Sequence, residues 1–273
     1  MKNCARLVTV LAVAAALLSV TGCKKLQARD KLNKGVQAYK AANYEHAIEY
    51  FKDAVKLDND LKVAKLYLAT AYMQQYVPGV DTPENNANAT QAIEQYQAVL
   101  SEDPQNVTSL KGIASLYMNM KKFDESAQYY KKAIDADKND PEAYYSVGVI
   151  DWTATYKDIT ERKAKLGLGV ESQIKSKEVC EEIKAANGQR IDEGLKMLEI
   201  AREKRQDYDD AMTYTNLLYH RKADTECGDP QAYANDIKLA NDWSDKAMAA
   251  RKKKFEEASK KTQGGITLDQ PKK

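Results

Sequence analysis

Apolar and small residues recur three and four positions apart along most of this chain, in runs broken by short polar turns, which predicts a succession of amphipathic helices. In the stretch from Gly35 to Asp58, the residues Tyr44, Ala47, Ile48, Phe51 and Ala54 fall on one face of a predicted helix, and Gly35 lies in the helix before it. Gly35 has counterparts at Ala69, Ala114 and Gly148; the first and last of these steps are each 34 residues, and the middle one is 11 longer. Ala47 recurs at Ala92 and Ser126, so the extra residues sit between the two helices of the second repeat. Small residues at these points matter because helices packed closer than about 8–10 Å need positions where almost no side chain intervenes.

A two-helix unit of 34 residues with this order of small and aromatic positions resembles the tetratricopeptide repeat family. Gly35, Tyr44, Ala47, Phe51 and Ala54 match its signature in the first unit, and Ala114, Tyr117, Phe123, Tyr130 and Ala133 in the third. Pro104 closes the second unit as expected, while Asn59, Lys138 and Ser126 depart from the pattern. The resemblance implies an all-α fold, a right-handed α-solenoid of tetratricopeptide helix pairs over 28–258, with units at about 28–61, 62–106, 107–140, 141–207 and 208–258.

The second unit's insertion, Tyr76 to Thr90, is rich in Pro, Gly and Asn and is expected to be a loop. In the fourth unit a charged helical pattern continues past Tyr156 to Gly167 and Gly169. A further helix is predicted from about Glu171 to Ala186, stopped by Asn187-Gly188, and another follows with Gly194 at the small position, so that this unit carries a helical insertion. The fifth unit is degenerate, with a first helix from about Tyr208 to Ala223 and a long second one that turns polar after Met248. A disordered tail is expected at 259–273.

The first 22 residues read as a leader: Lys2 and Arg6 precede an uncharged, mostly apolar run from Leu7 to Val20. The run ends in Val20-Thr21-Gly22-Cys23, which resembles the lipobox of bacterial lipoproteins; the resemblance implies acylation of Cys23, a short tether at 23–27 and, with Lys24 after the cysteine, an outer-membrane location facing the periplasm. Removing Lys2 and Arg6 from the 42 basic residues brings them level with the 40 acidic ones. A neutral balance argues against nucleic acid as the main ligand and against lipid binding by overall charge, local patches aside.

Candidate chemistry is sparse. The two histidines, His46 and His220, lack neighbours at metal-ligand spacing, and no Gly-rich phosphate loop, nucleophile elbow or HExxH sequence occurs, so neither an enzyme nor a cofactor is expected. Asn88 and Asn106 begin N-x-T sequons that carry no weight in a bacterial lipoprotein. With Cys4 removed and Cys23 acylated, Cys180 and Cys227 remain for a disulfide in an oxidising compartment.

First helices line the concave face in the resembled family. The positions that map there include Tyr39, Tyr67, Met73, Met118, Tyr145, Trp152 and Tyr214, an aromatic and Met-containing set suited to a protein or peptide partner. The positions of the family's carboxylate clamp fall on Leu32, Val36, Tyr67, Thr108 and Gly112, which do not fit that use. The expectation is a membrane-anchored scaffold of the kind that assists outer-membrane protein insertion, pilus assembly or wall synthesis; capture of a small molecule or glycan in the aromatic groove is the alternative.

Overall fold

A computed structural model describes residues 22–263. The leader up to residue 21 and the tail from 264 lie outside the described residues. Every regular element described is a helix: α1 (22–40), α2 (Tyr44–Leu57), α3 (Lys62–Gln75), α4 (Pro83–Glu102), α5 (Val107–Asn119), α6 (Phe123–Ala136), α7 (Pro141–Lys165), α8 (Lys177–Lys204), α9 (Asp209–Ala223) and α10 (Pro230–Gln263). None of them is long and apolar enough to cross a membrane. The chain divides after Ala136 into two compact units.

In the first unit, α1 to α6, consecutive helices pack as antiparallel pairs around Ala47, Phe51, Leu68, Ala69, Tyr72, Ala92, Tyr96, Ile113 and Leu116. The small positions earn their place by contact: a Cβ on Gly35 would run into the Phe51 ring, and one on Gly112 into the Tyr96 ring. Ser126, which departs from the repeat pattern, is fully buried and donates its hydroxyl to the Ala114 carbonyl at 2.7 Å, so its polarity is satisfied where alanine would simply fit.

The turn from α1 to α2 recurs from α5 to α6. Ala42 (φ 56°) and Lys121 (φ 61°) take the left-handed conformation, and the next residues, Asn43 and Lys122, donate back to the carbonyls of Ala38 and Tyr117 at 2.9 and 2.8 Å. These bonds satisfy carbonyls that the helix end would otherwise leave open. Gly167 (φ 69°) ends α7 in the same way, with Leu168 donating to the Lys163 carbonyl at 2.9 Å.

Several expectations change. Residues 23–27, read as a tether, belong to α1, and Ala28 is already buried. The insertion at 76–90 is only half loop: Thr82 caps α4 by accepting from the Asn85 N–H, Pro83 suits the first turn, and α4 begins there. Buried Asn85 holds the remaining loop, accepting from Val77 N–H at 2.7 Å and donating to the carbonyls of Val77 and Val80.

Asn187-Gly188 is not a stop, because α8 runs through it as one helix of 28 residues. The Asn187 amide donates to Asp158 Oδ2 on α7 at 2.7 Å and to the Ile183 carbonyl at 3.2 Å, so the residue is spent on packing rather than on capping. The fourth unit's insertion is therefore a lengthened hairpin of α7 and α8, joined by a loop at 166–176 where a separate helix from Glu171 was expected. In this second unit, α7 to α10, the core is Val147, Ile150, Ile159, Ile183, Ile191, Leu198, Leu218 and Ala240. Gly148 and Gly194 let it close, since a Cβ on either would meet Leu198 or Leu218. Helix α10 extends through residues 259–263, which were expected to belong to the tail.

Candidate functional site

The candidate groove residues fall into two sets, one in each unit. In the first unit Tyr39 (α1) meets Tyr67 (α3) edge-on with ring centroids 6.4 Å apart and Tyr44 at 5.3 Å, and Tyr67 stacks on Phe51 at 5.4 Å. The four rings form a row, Tyr44, Tyr39, Tyr67 and Phe51, in which Tyr39 and Tyr67 stay half-buried, with one side against the core. Further along, Met73 and Thr70 of α3 border an open recess of about 400 Å³ with Thr108, Lys111 and Ser115 of α5. Its floor is Tyr96, which lies against Gly112 and whose hydroxyl is 3.1 Å from Thr70 Oγ1. Burial pushes the Tyr96 phenol up, so it is a neutral hydrogen-bonding group at any ordinary pH. Met118 is half-buried on α5.

In the second unit Tyr214 (α9) is the hub. It meets Tyr145 at 5.6 Å and Trp152 at 5.2 Å, both on α7 and both edge-on. Tyr145 packs on Tyr208 at 4.9 Å, and Trp152 stacks on Tyr156 at 5.1 Å, giving a row of five rings. Burial raises the Tyr145 and Tyr214 phenols and pushes Tyr208 up to about 12. Tyr156 and Tyr208 were not among the candidates. The first was legible one helical turn after Trp152; the second precedes α9 and had no periodicity to reveal it.

At one end of this unit Cys180 and Cys227 are joined as a disulfide, their Cα atoms 5.5 Å apart. Close by, Lys163 donates to the Val170 carbonyl at 2.7 Å and pairs with Asp224 at 2.6 Å, and Arg221 lies 3.2 Å from the other Asp224 oxygen. Arg221 and His220 both approach Glu171, each at 3.5 Å. These contacts tie the loop after α7 to the end of α9. His46 shares a 2.9 Å contact with Asn43 at the start of α2. Among the described residues no group of three or more His, Cys, Asp or Glu is arranged to hold a metal. Cys23 is exposed on the first turn described, with a free thiol.

Two tetratricopeptide repeat families match the sequence, over residues 32–61 and 86–147. Tetratricopeptide repeat protein 8 of Caenorhabditis elegans is 34% identical over 93 residues, which are 34% of this chain and only 17% of that protein. The crystal structure of MamA superposes with a TM-score of 0.55 at 15% identity, covering 81% of this chain and 96% of its own. MamA from residue 41 onward of Desulfovibrio magneticus RS-1 does so with a TM-score of 0.56 at 12% identity, covering 83% and 96%. At such identity these structures speak for the fold alone. The matched segments fall on α1–α2 and on α4 to the start of α7, and the described fold is helical throughout, so this chain carries tetratricopeptide repeats.

Proposed function

We propose that this protein is a scaffold that binds a protein or peptide segment on its first-helix faces, held at the periplasmic side of a bacterial outer membrane by acyl chains on Cys23. The observation that carries the reading is the pair of half-buried aromatic faces, Tyr39 and Tyr67 with the recess beside Met73 in one unit, and Tyr145, Trp152 and Tyr214 in the other. Rings fixed by their neighbours offer apolar area at little further entropic cost, which is how aromatic anchors hold a partner. The neutral charge balance without the leader favours contacts that depend weakly on salt.

Photo-crosslinkers placed singly at Met73 and at Tyr214, in the full-length protein in its own membranes, test the reading. A reproducible protein adduct from either position supports it; recovery of only a soluble small molecule supports the capture alternative. Fractionation of a Cys23→Ala variant tests the anchor separately: continued membrane partition with fatty-acid labelling would rule out Cys23 as the attachment point.

A further inference from the structure

The exposed basic side chains beside Cys23 are not used by the scaffold reading. Lys24, Lys25 and Arg29 of α1 are exposed, as is Lys56 in the last turn of α2, and none of the four has an ion-pair partner among the described residues. Lys24, Lys31 and Lys56 line one open recess of about 630 Å³ with Gln27, Asp30, Asp53 and Leu57. Its two carboxylates are already taken up, Asp30 by Lys34 at 2.8 Å and Asp53 by Lys31 at 2.7 Å. Unpaired positive charge is thus left over at this end of a chain whose overall balance is near neutral.

Leu26 adds a second observation: it is 72% exposed, and three residues after Cys23 it shares that residue's face of the helix. Helical rise puts Arg29 only about 9 Å along the axis from Cys23, within roughly one Debye length. Any bilayer that holds acyl chains on Cys23 lies within reach of all three α1 cations.

We propose that the first turns of α1, with Lys56 beside them, form a contact surface for anionic phospholipid headgroups, Lys24, Lys25 and Arg29 pairing with phosphates while Leu26 enters the interface. This rests on the anchored-scaffold reading for its biological setting, but the surface is testable without acylation. Each basic residue held near an anionic membrane surface raises partitioning about five-fold, so three should contribute about 100-fold.

The test uses the chain from residue 22 onward with Cys23→Ser, which keeps every described helix and carries no acyl chain. It is sedimented with vesicles of phosphatidylcholine alone or mixed with phosphatidylglycerol. The expected result is binding to the mixed vesicles, weakened by salt and reduced about 100-fold by the combined Lys24→Gln, Lys25→Gln and Arg29→Gln substitutions, with helical content and melting temperature unchanged because all three side chains are exposed. No binding to mixed vesicles, or binding that survives the triple substitution, would overturn the proposal. Equal binding to both vesicle types, lost on Leu26→Gln, would overturn it too, since the contact would then be apolar rather than with headgroups. Failure of fatty-acid labelling in the parent chain would remove the anchor and leave the vesicle result standing.

Discussion

The ammonium of Lys163 lies 2.6 Å from an Asp224 carboxylate oxygen, with both side chains almost completely removed from water. Desolvation pushes the Asp224 carboxyl up, against the pull of Arg221 and Lys163, so the group depends on its cations to stay charged. Lys163→Met should cost about 3 kcal/mol, because it leaves a buried carboxylate with Arg221 alone and removes the donor from the Val170 carbonyl. Urea unfolding followed at the second unit's tryptophans checks this; a loss under about 1 kcal/mol would mean that water enters the site.

The disulfide lies at the same end and closes an interval of 47 residues. In the chain-entropy account, replacing Cys180 and Cys227 by serine should cost about 4 kcal/mol, less whatever strain the bridge carries. Thiol titration of the denatured, unreduced chain should find neither cysteine reactive. Because bridge and ion pair both fasten the α7–α8 hairpin to the end of α9, the one through Cys180 of α8 and the other through Lys163 of α7, the serine pair and Lys163→Met should be non-additive. Two reactive thiols, or strictly additive losses, would separate the two devices.

What the sequence revealed, it revealed through spacing. The steps from Gly35 to Ala69 and from Ala114 to Gly148 located the close helix contacts, and Gly35 and Gly148 do lie against Phe51 and Leu198. Composition was a poorer guide. Asn85 and Asn187 look like loop and stop residues, yet each is buried with its amide bonded to specific partners, Asn85 to the loop just before it and Asn187 to Asp158 on α7, and composition carries no sign of either. The candidate faces were half legible: period placed Tyr145, Trp152 and Tyr214 on first helices, but not the fact that they pack on one another. The Lys163–Asp224 pair, 61 positions apart in the chain, had no periodic signature at all.

Ala42 and Lys121 occupy the same place in the first and third repeats, and both hold a left-handed backbone that glycine adopts without strain. Substituting glycine there relieves about 1–2 kcal/mol of steric cost but loosens the unfolded chain by somewhat less than 1 kcal/mol. Ala42→Gly and Lys121→Gly should each therefore stabilise the first unit by several tenths of a kcal/mol to about 1 kcal/mol. Gly167→Ala at the end of α7, the same cap in the second unit, should do the reverse. Thermal unfolding of the three variants decides it; destabilisation by both glycines would show that the side chains at 42 and 121 contribute more than their backbone costs.

Asp236 on α10 offers a test by pH. Its side chain is buried, and that burial pushes its carboxyl up from 3.8 to about 6, Lys222 pulling it down while Glu226 and Asp192 push it further up. A group whose folded pKa is raised takes up its proton in the folded state first. Its contribution to stability is fully present below the unfolded value near 3.8 and is lost as pH rises through about 6. At pH 7.5 the ionised carboxylate therefore weighs against the fold by roughly 3 kcal/mol, and at pH 4 it hardly does. Asp236→Asn should accordingly raise stability by about that amount at pH 7.5, leave it nearly unchanged at pH 4, and flatten the fall in between. Urea midpoints of the two proteins across this range are the measurement. A difference that stays constant with pH would mean that Asp236 titrates at its ordinary value and that the asparagine acts through packing alone.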